Sequence, residues 1–323
     1  MTPPAFGEAL NPRQKVRAAG LDPDHWYPAE YERRMPRGAT RPTRFWGTPI
    51  VLWRDTEGGL HALDDRRLPC DRFGTPVPCT SVAGYPVQAR YGFIWIFPGD
   101  PELAARVPLP AVPELDGPDP WAYVPIDFTW RAHHSMVVDN LCDLTHAHLH
   151  RRFTSFHPGR LLQCDAQDDR VVMRYEARVG PLVRRRVPPS PMTIGYEYPY
   201  HWAAFEWSGI RGRIKYWTFL LPLDERTTRV FFVMMYDALR VAALPVPLSR
   251  RAVRWLLRAA QPTVRSLLDQ DGVALEAEQA GYEAHWEAPL VELNPAVSQL
   301  HRLTIRKWEA YLTRTALTAE ATA

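Results

Sequence analysis

The stretch VVDNLCDLTHAHLHRRF, residues 137–153, sets His146, His148 and His150 on alternate positions, with Asp139, Asn140 and Asp143 just upstream. Alternation suggests a strand, but Leu141, Leu144, Ala147 and Leu149 suit a helix better, where positions three and four apart share a face. On that reading Asn140, Asp143, His146 and His150 form one stripe and His148 points away. Two imidazoles one turn apart, preceded by a carboxylate, make a geometry that can hold a metal ion. The competing reading is a polar helix face.

The surrounding elements must position that stripe. A chain of 323 residues, 46% hydrophobic and holding 12 tryptophans, can bury a large core. Its net charge of +3 gives no nucleic-acid footprint. Cys70, Cys79, Cys142 and Cys164 form no CxxC pair, which fits a reducing compartment. The first residues, MTPPAFGEALNPRQKVRAAG, lack the apolar run of a secretion signal, so a cytoplasmic location is expected.

Residues 1–24 read as an irregular or partly helical extension. Residues 25–100 are rich in short β-type runs such as IVLWRD and FIWIF, closed by Gly, Pro and Asp. A Pro-rich linker spans 101–120. A second unit, 121–323, opens on the strand WAYVPIDFTW, passes through the histidine stretch, and continues as successive strands that predict an antiparallel meander. Helices close it: SRRAVRWLLRAA behind a Ser cap, PTVRSLLDQDGVALEAEQ opening on a Pro, and NPAVSQLHRLTIRKWEAYLTRTAL behind an Asn cap. Arginines from Arg240 to Arg265 crowd the first of these. It is read as a solvated helix with an apolar core face in preference to one lying on a membrane surface.

With these segments in place, the chain resembles the oxygenase subunits of Rieske-type non-heme iron oxygenases. HWYP (25–28), IVLWRDTEGGLHALDDR (50–66) and YPVQARYGFIWIFPGDP (85–101) resemble the β framework of that family's Rieske domain. DNLCDLTHAHLH (139–150) resembles its iron motif, and LDQDGVALEAEQ (268–279) the helix bearing its carboxylate ligand. The resemblance implies His146, His150 and Asp271 as ligands of one Fe(II), with Asp269 as the alternative to Asp271. It places Asp143 beside a ligating imidazole, accepting its N–H, with Asn140 next to it. It implies an α+β fold, a reduced β domain followed by a helix-grip domain in which an antiparallel sheet wraps a C-terminal helix around an apolar pocket. Met192, Tyr196, Tyr198, Trp202, Phe205, Trp207, Trp217 and Phe219 are the expected pocket walls.

One departure separates the chain from the family. A Rieske [2Fe–2S] cluster takes two Cys and two His. Between Gly59 and Pro98 this chain has Cys70, Cys79 and one histidine, His61, and neither Cys-x-His nor Cys-x2-His occurs. No such cluster is expected, and two isolated thiols are a poor site for any other metal. The expected function is therefore a monooxygenase-type component, hydroxylating or demethylating an apolar, aromatic or polycyclic substrate with O2. Its electrons would come from a Rieske-containing subunit or a ferredoxin and reductase, in a homo- or hetero-trimer. The alternatives are an apolar-ligand-binding or structural subunit without turnover, and an inactivated or shortened oxygenase.

Overall fold

A computed structural model of the protein describes residues 2–68, 84–150, 157, 159–178, 189–206, 210–211, 213–237, 240–241 and 248–322. Cys70, Cys79 and Trp207, and the side chain of His148, lie outside the described positions.

The first part of the chain forms two small antiparallel sheets. Strands β1 (Tyr27–Tyr31), β2 (Thr40–Phe45), β3 (Thr48–Arg54), β4 (Leu60–Asp64), β5 (Gly84–Tyr85), β6 (Val87–Arg90) and β7 (Phe93–Ile96) group in the orders β1-β7-β6 and β2-β3-β4-β5. Before them helix α1 (Pro12–Ala18) is capped by the Asn11 side chain, which accepts from Gln14 N. A short helix, α2 (Pro113–Asp116), punctuates the Pro-rich stretch.

The second part is built on seven strands: β8 (Ala122–Trp130), β9 (Arg160–Ala166), β10 (Arg170–Ala177), β11 (Ser190–Glu197), β12 (Tyr200–Glu206), β14 (Arg213–Asp224) and β15 (Thr227–Tyr236). The pair β13 (Ile210–Arg211) and β16 (Arg240–Val241) stands apart. The order β8-β15-β14-β12-β11-β10-β9 puts β8 and β9 on opposite edges. From β8 the chain must therefore traverse the sheet before it can start the meander that returns to β8. That traverse holds helix α3 (His134–Cys142) and the histidine stretch. After β15 helix α4 (Arg250–Ala284) runs back beside β8, and α5 (Pro295–Thr322) closes the molecule. This is the helix-grip arrangement, and it brings two distant pieces of sequence over one face.

Alternation decides which side chains share that face. Tyr175, Met192, Phe205, Ile214 and Tyr236 are successive cross-strand partners, and so are Ile194, Ala203, Tyr216 and Met234. Both rows face the helices: a Cβ on Gly272 of α4 would lie 2.4 Å from Nε1 of Trp130, which ends the same row pattern on β8. On α4, Val253, Leu257 and Leu275 are buried, each contributing about 1.5–3 kcal/mol. The other face packs on the first part of the chain, with Phe219 edge-on to Trp95 at 5.1 Å and Phe231 to Tyr31 at 5.6 Å.

Two expected boundaries change. The Pro at 262 does not start a new helix; α4 runs through it for 35 residues. Its missing N–H leaves one helical hydrogen bond unmade, which buried contacts on both sides offset. The helix expected through the histidines ends at Cys142, for a reason that lies in Asp143.

Candidate metal centre

Asp143 leaves the helical region (φ −102°, ψ 103°), and its carboxylate caps the next turn instead, accepting from Thr145 N at 2.9 Å and Thr145 Oγ1 at 2.8 Å. Leu144–Leu149 then form a 3-10 turn. The stripe Asn140–Asp143–His146–His150 therefore does not exist on one continuous α-helix. A carboxylate side chain competing for backbone N–H groups breaks it. His146 and His150 still converge, their ring centroids 5.4 Å apart.

Asp271 reaches them from α4. Its Oδ1 lies 3.5 Å from His146 Nε2 and 3.3 Å from His150 Nε2, and one donor atom from each residue falls within 4.8 Å of the others. His150 and Asp271 are buried, and His146 is partly so. His146 Nδ1–H donates to the main-chain carbonyl of Asp143, which fixes the tautomer and turns Nε2 toward Asp271. The partner is thus the carbonyl of Asp143, where its carboxylate was expected. Burial lowers the His146 pKa against the opposing charge of Asp271, so the ring is held neutral, the form that ligates.

The three donors suit a cation. Asp271 Oδ1 is buried and makes no hydrogen bond among the described residues. Burying an ionised carboxylate oxygen unbonded is costly, and a cation would offset that cost. Bonds of about 2.1 Å at right angles put neighbouring donors about 3 Å apart, close to the two separations found. Asp269, the alternative ligand, is exposed and lines a different depression with Thr129 and Arg265.

Asn140 and Asp143 border a cleft of about 950 Å³ that reaches His146 from outside. Beside it Asp139 accepts from Arg17 at 2.7 Å and from His301 at 2.8 Å. Burial pushes the Asp139 carboxyl up, but the charges of His301 and Arg17 outweigh it and hold it below its ordinary value. Asn294 donates to Asp143 Oδ1 at 2.9 Å and to the Tyr175 hydroxyl at 3.1 Å. Arg17, Asn294 and His301 went unread in the sequence. Only the Asn-Pro helix start marked Asn294, and nothing local marked the other two.

The expected pocket walls divide. Met192 and Phe205 lie on the helix-facing side, where Tyr216 and Phe232, unread in the sequence, stack at 4.7 Å. Trp202 and Trp217 are cross-strand partners on the opposite side. There Lys215 sits 4.6 Å and 4.9 Å over their rings, and Glu114 of α2 accepts from Trp217 Nε1 at 3.0 Å and Lys215 Nζ at 2.7 Å. They pin the Pro-rich stretch to the sheet, as the period of two dictates. Phe219 shares their side. Tyr196 faces the helices, while the Tyr198 hydroxyl accepts from Asp22 N at 2.8 Å, outside the pocket.

Residues 130–315 match the family model described as the vanillate O-demethylase oxygenase C-terminal domain. The chain belongs to the Rieske-type oxygenase family. A 4beta-methylsterol monooxygenase of Methylococcus capsulatus (strain Bath) is 35% identical over 345 residues, covering 93% of this chain and 92% of that one. That aligned stretch exceeds the 323 residues present here, so the relative has residues without counterparts in this member of the family. A crystal structure of dicamba monooxygenase with non-heme iron and dicamba superposes with TM-score 0.62 at 20% identity, over 92% of this chain and all of that one. The oxygenase in a reduced complex with ferredoxin, from carbazole 1,9a-dioxygenase, does so with TM-score 0.61 at 14% identity, over 91% of each chain. The relatives are oxygenases, and none of these names describes a binding module. Among the described residues no helix is long and apolar enough to cross a membrane.

Proposed function

We propose that this chain is the mononuclear-iron component of a monooxygenase system, with His146, His150 and Asp271 holding Fe(II). The observation that carries the proposal is the convergence of three donors around an unbonded, buried carboxylate oxygen. When bound, the iron would supply activation of O2 toward a C–H bond. The chain's own residues do the rest. The Asp143 carbonyl orients His146. Phe205, Tyr216 and Phe232 keep the sheet side of the centre apolar and exclude water. Burial keeps Tyr216 a phenol, and the nearby charges of Cys142 and Asp271 push the same way, so it can donate a hydrogen bond to a substrate oxygen.

The substrate class is apolar and polycyclic, carrying a methyl group to be oxidised. The methylsterol relative, matched over nearly its whole length, supports this reading. Residues 25–100 act as a Rieske-like β unit without its cluster, 101–120 as the linker, and 121–323 as the catalytic unit. Electrons enter from another chain, a Rieske-containing subunit or a ferredoxin, within a trimer. The decisive experiment is metal and sulfide analysis of anaerobically purified protein, followed by product detection with methylated polycyclic substrates. About one iron per chain with no acid-labile sulfide is expected; sulfide near two per chain, or a metal-free protein after reconstitution with Fe(II), refutes the proposal.

A further inference from the structure

The first four turns of α4 present an unusual surface. Between Ser249 and Leu268 there are five arginines and no acidic residue, in a chain whose 39 cations are nearly balanced by 36 acids. At about 100° per residue, Val253 and Leu257 point to β8 and are buried. Trp255, by contrast, is 68% exposed and Leu256 39%, with Ala259, Pro262 and Thr263 exposed between and beyond them. The expected core face is present in Val253 and Leu257, but the core takes only part of this helix's apolar surface.

Arginines border that apolar face. Arg250 and Arg265 are tied down, donating to the carbonyls of Pro120 and Asp127. Arg251, Arg254 and Arg258 make no hydrogen bond or ion pair among the described residues. Arg254 and Arg258 also form one wall of a cleft of about 890 Å³ whose other walls include Arg33 and Arg54. Among the described residues the one acidic side chain lining that cleft, Glu32, is paired with Arg54 at 3.0 Å. A lone apolar ridge would fit many partners. An apolar ridge with a tryptophan, flanked by unpaired guanidinium groups over a cationic cleft, fits an anionic lipid surface. Guanidinium forks match phosphate oxygens, and tryptophan settles at the boundary between headgroups and acyl chains.

We propose that this face of α4 seats the protein on an anionic bilayer, with Trp255 and Leu256 at the headgroup boundary and Arg251, Arg254 and Arg258 on lipid phosphates. Asp271 lies on the same helix, about 24 Å along its axis from Trp255. The docked face therefore holds the proposed iron centre near a reservoir of apolar substrate. That purpose rests on the proposed function, but lipid binding does not.

Vesicle flotation of the full chain tests the proposal without using turnover. The protein should float with vesicles of equal parts phosphatidylglycerol and phosphatidylcholine and not with phosphatidylcholine alone, and added salt should release it. The double variant Arg254→Glu/Arg258→Glu, and Trp255→Ser separately, should each lower partitioning about tenfold or more. Arg41→Glu/Arg44→Glu, at exposed positions on β2, should leave it unchanged. Circular dichroism establishes that each variant folds. No flotation at low salt overturns the proposal, as does equal flotation of the arginine variant. It is also overturned if Trp255→Ser changes the sedimentation coefficient of lipid-free protein while flotation persists, since the face would then be a contact between copies of the chain.

Discussion

At the scale of single residues, the proposed iron centre rests on three side chains. His150→Ala or Asp271→Ala should reduce iron content at least tenfold, measured by elemental analysis after reconstitution, because each leaves two donors where three converge. Asp269→Ala should retain iron; loss of iron there in place of Asp271→Ala would mean that the wrong carboxylate has been assigned. A different histidine contributes to acid stability, together with the buried His133 and His201. His134 is fully buried and its Nε2–H donates to the Ala19 carbonyl at 2.8 Å. Burial lowers its pKa from 6.5 to about 4. The unfolded chain therefore binds a proton below pH 6.5 that the folded chain refuses, so stability is full above that value and falls as pH drops toward 4. The loss is on the order of 3 kcal/mol. Urea unfolding at pH 7.5, 6 and 5 should show the decline, and His134→Gln should make it shallower without abolishing it, because burial also depresses His133 and His201.

At the scale of elements, α4 must lie flush on β8 to deliver Asp271, and Gly272 permits this. Gly272→Ala would press a methyl against the Trp130 indole, lowering the melting temperature by several degrees and weakening iron retention. Gly281→Ala, on the same helix with nothing within 4 Å of its added Cβ, should instead stabilise by about 0.5–1 kcal/mol. If the two behaved alike, propensity and not packing would govern both sites. The sheet faces yield another contrast. Phe205→Ala should raise the KM for substrate, whereas Trp217→Ala should cost about 3–5 kcal/mol in denaturant unfolding and spare KM. The strands, their meander and the caps at Ser249 and Asn294 were legible in the sequence, because turn chemistry and alternation are local. Which face a tryptophan occupies was not, since both faces of this sheet are covered and apolar. The break at Asp143 was hidden for another reason: the hydrophobic spacing of 141–149 suits an α-helix, and only the capping of Thr145 overrides it. His146 and His150 come together all the same, because two nearby residues can meet through either kind of turn.

At the scale of the whole molecule, the chain has a three-donor centre but no Cys-His pairs for a relay cluster. Supplied with a generic reductase and NADH, it should show little multiple turnover. A homologous subunit with an intact cluster should restore it. Asp143→Asn should then depress turnover much more than iron affinity, since an amide oxygen can still cap Thr145 while the charge facing the cleft is gone. Product assays with and without such a subunit check this, and sustained turnover by the isolated chain would show that electrons arrive by another route.

The traverse from β8 to β9 also bears on the order of assembly. His146 and His150 precede the entire meander and Asp271 follows it, so the whole meander separates the donors in sequence. Contacts this far apart in sequence must overcome a large loop-closure entropy before they form. On the proposed function, metal capture is expected as a late step in maturation, a clasp fastened on a nearly finished fold rather than a nucleus for it. Iron-starved cells would accumulate chains whose sheet is complete but whose two crossing segments remain unfastened, and later iron would rescue them without refolding.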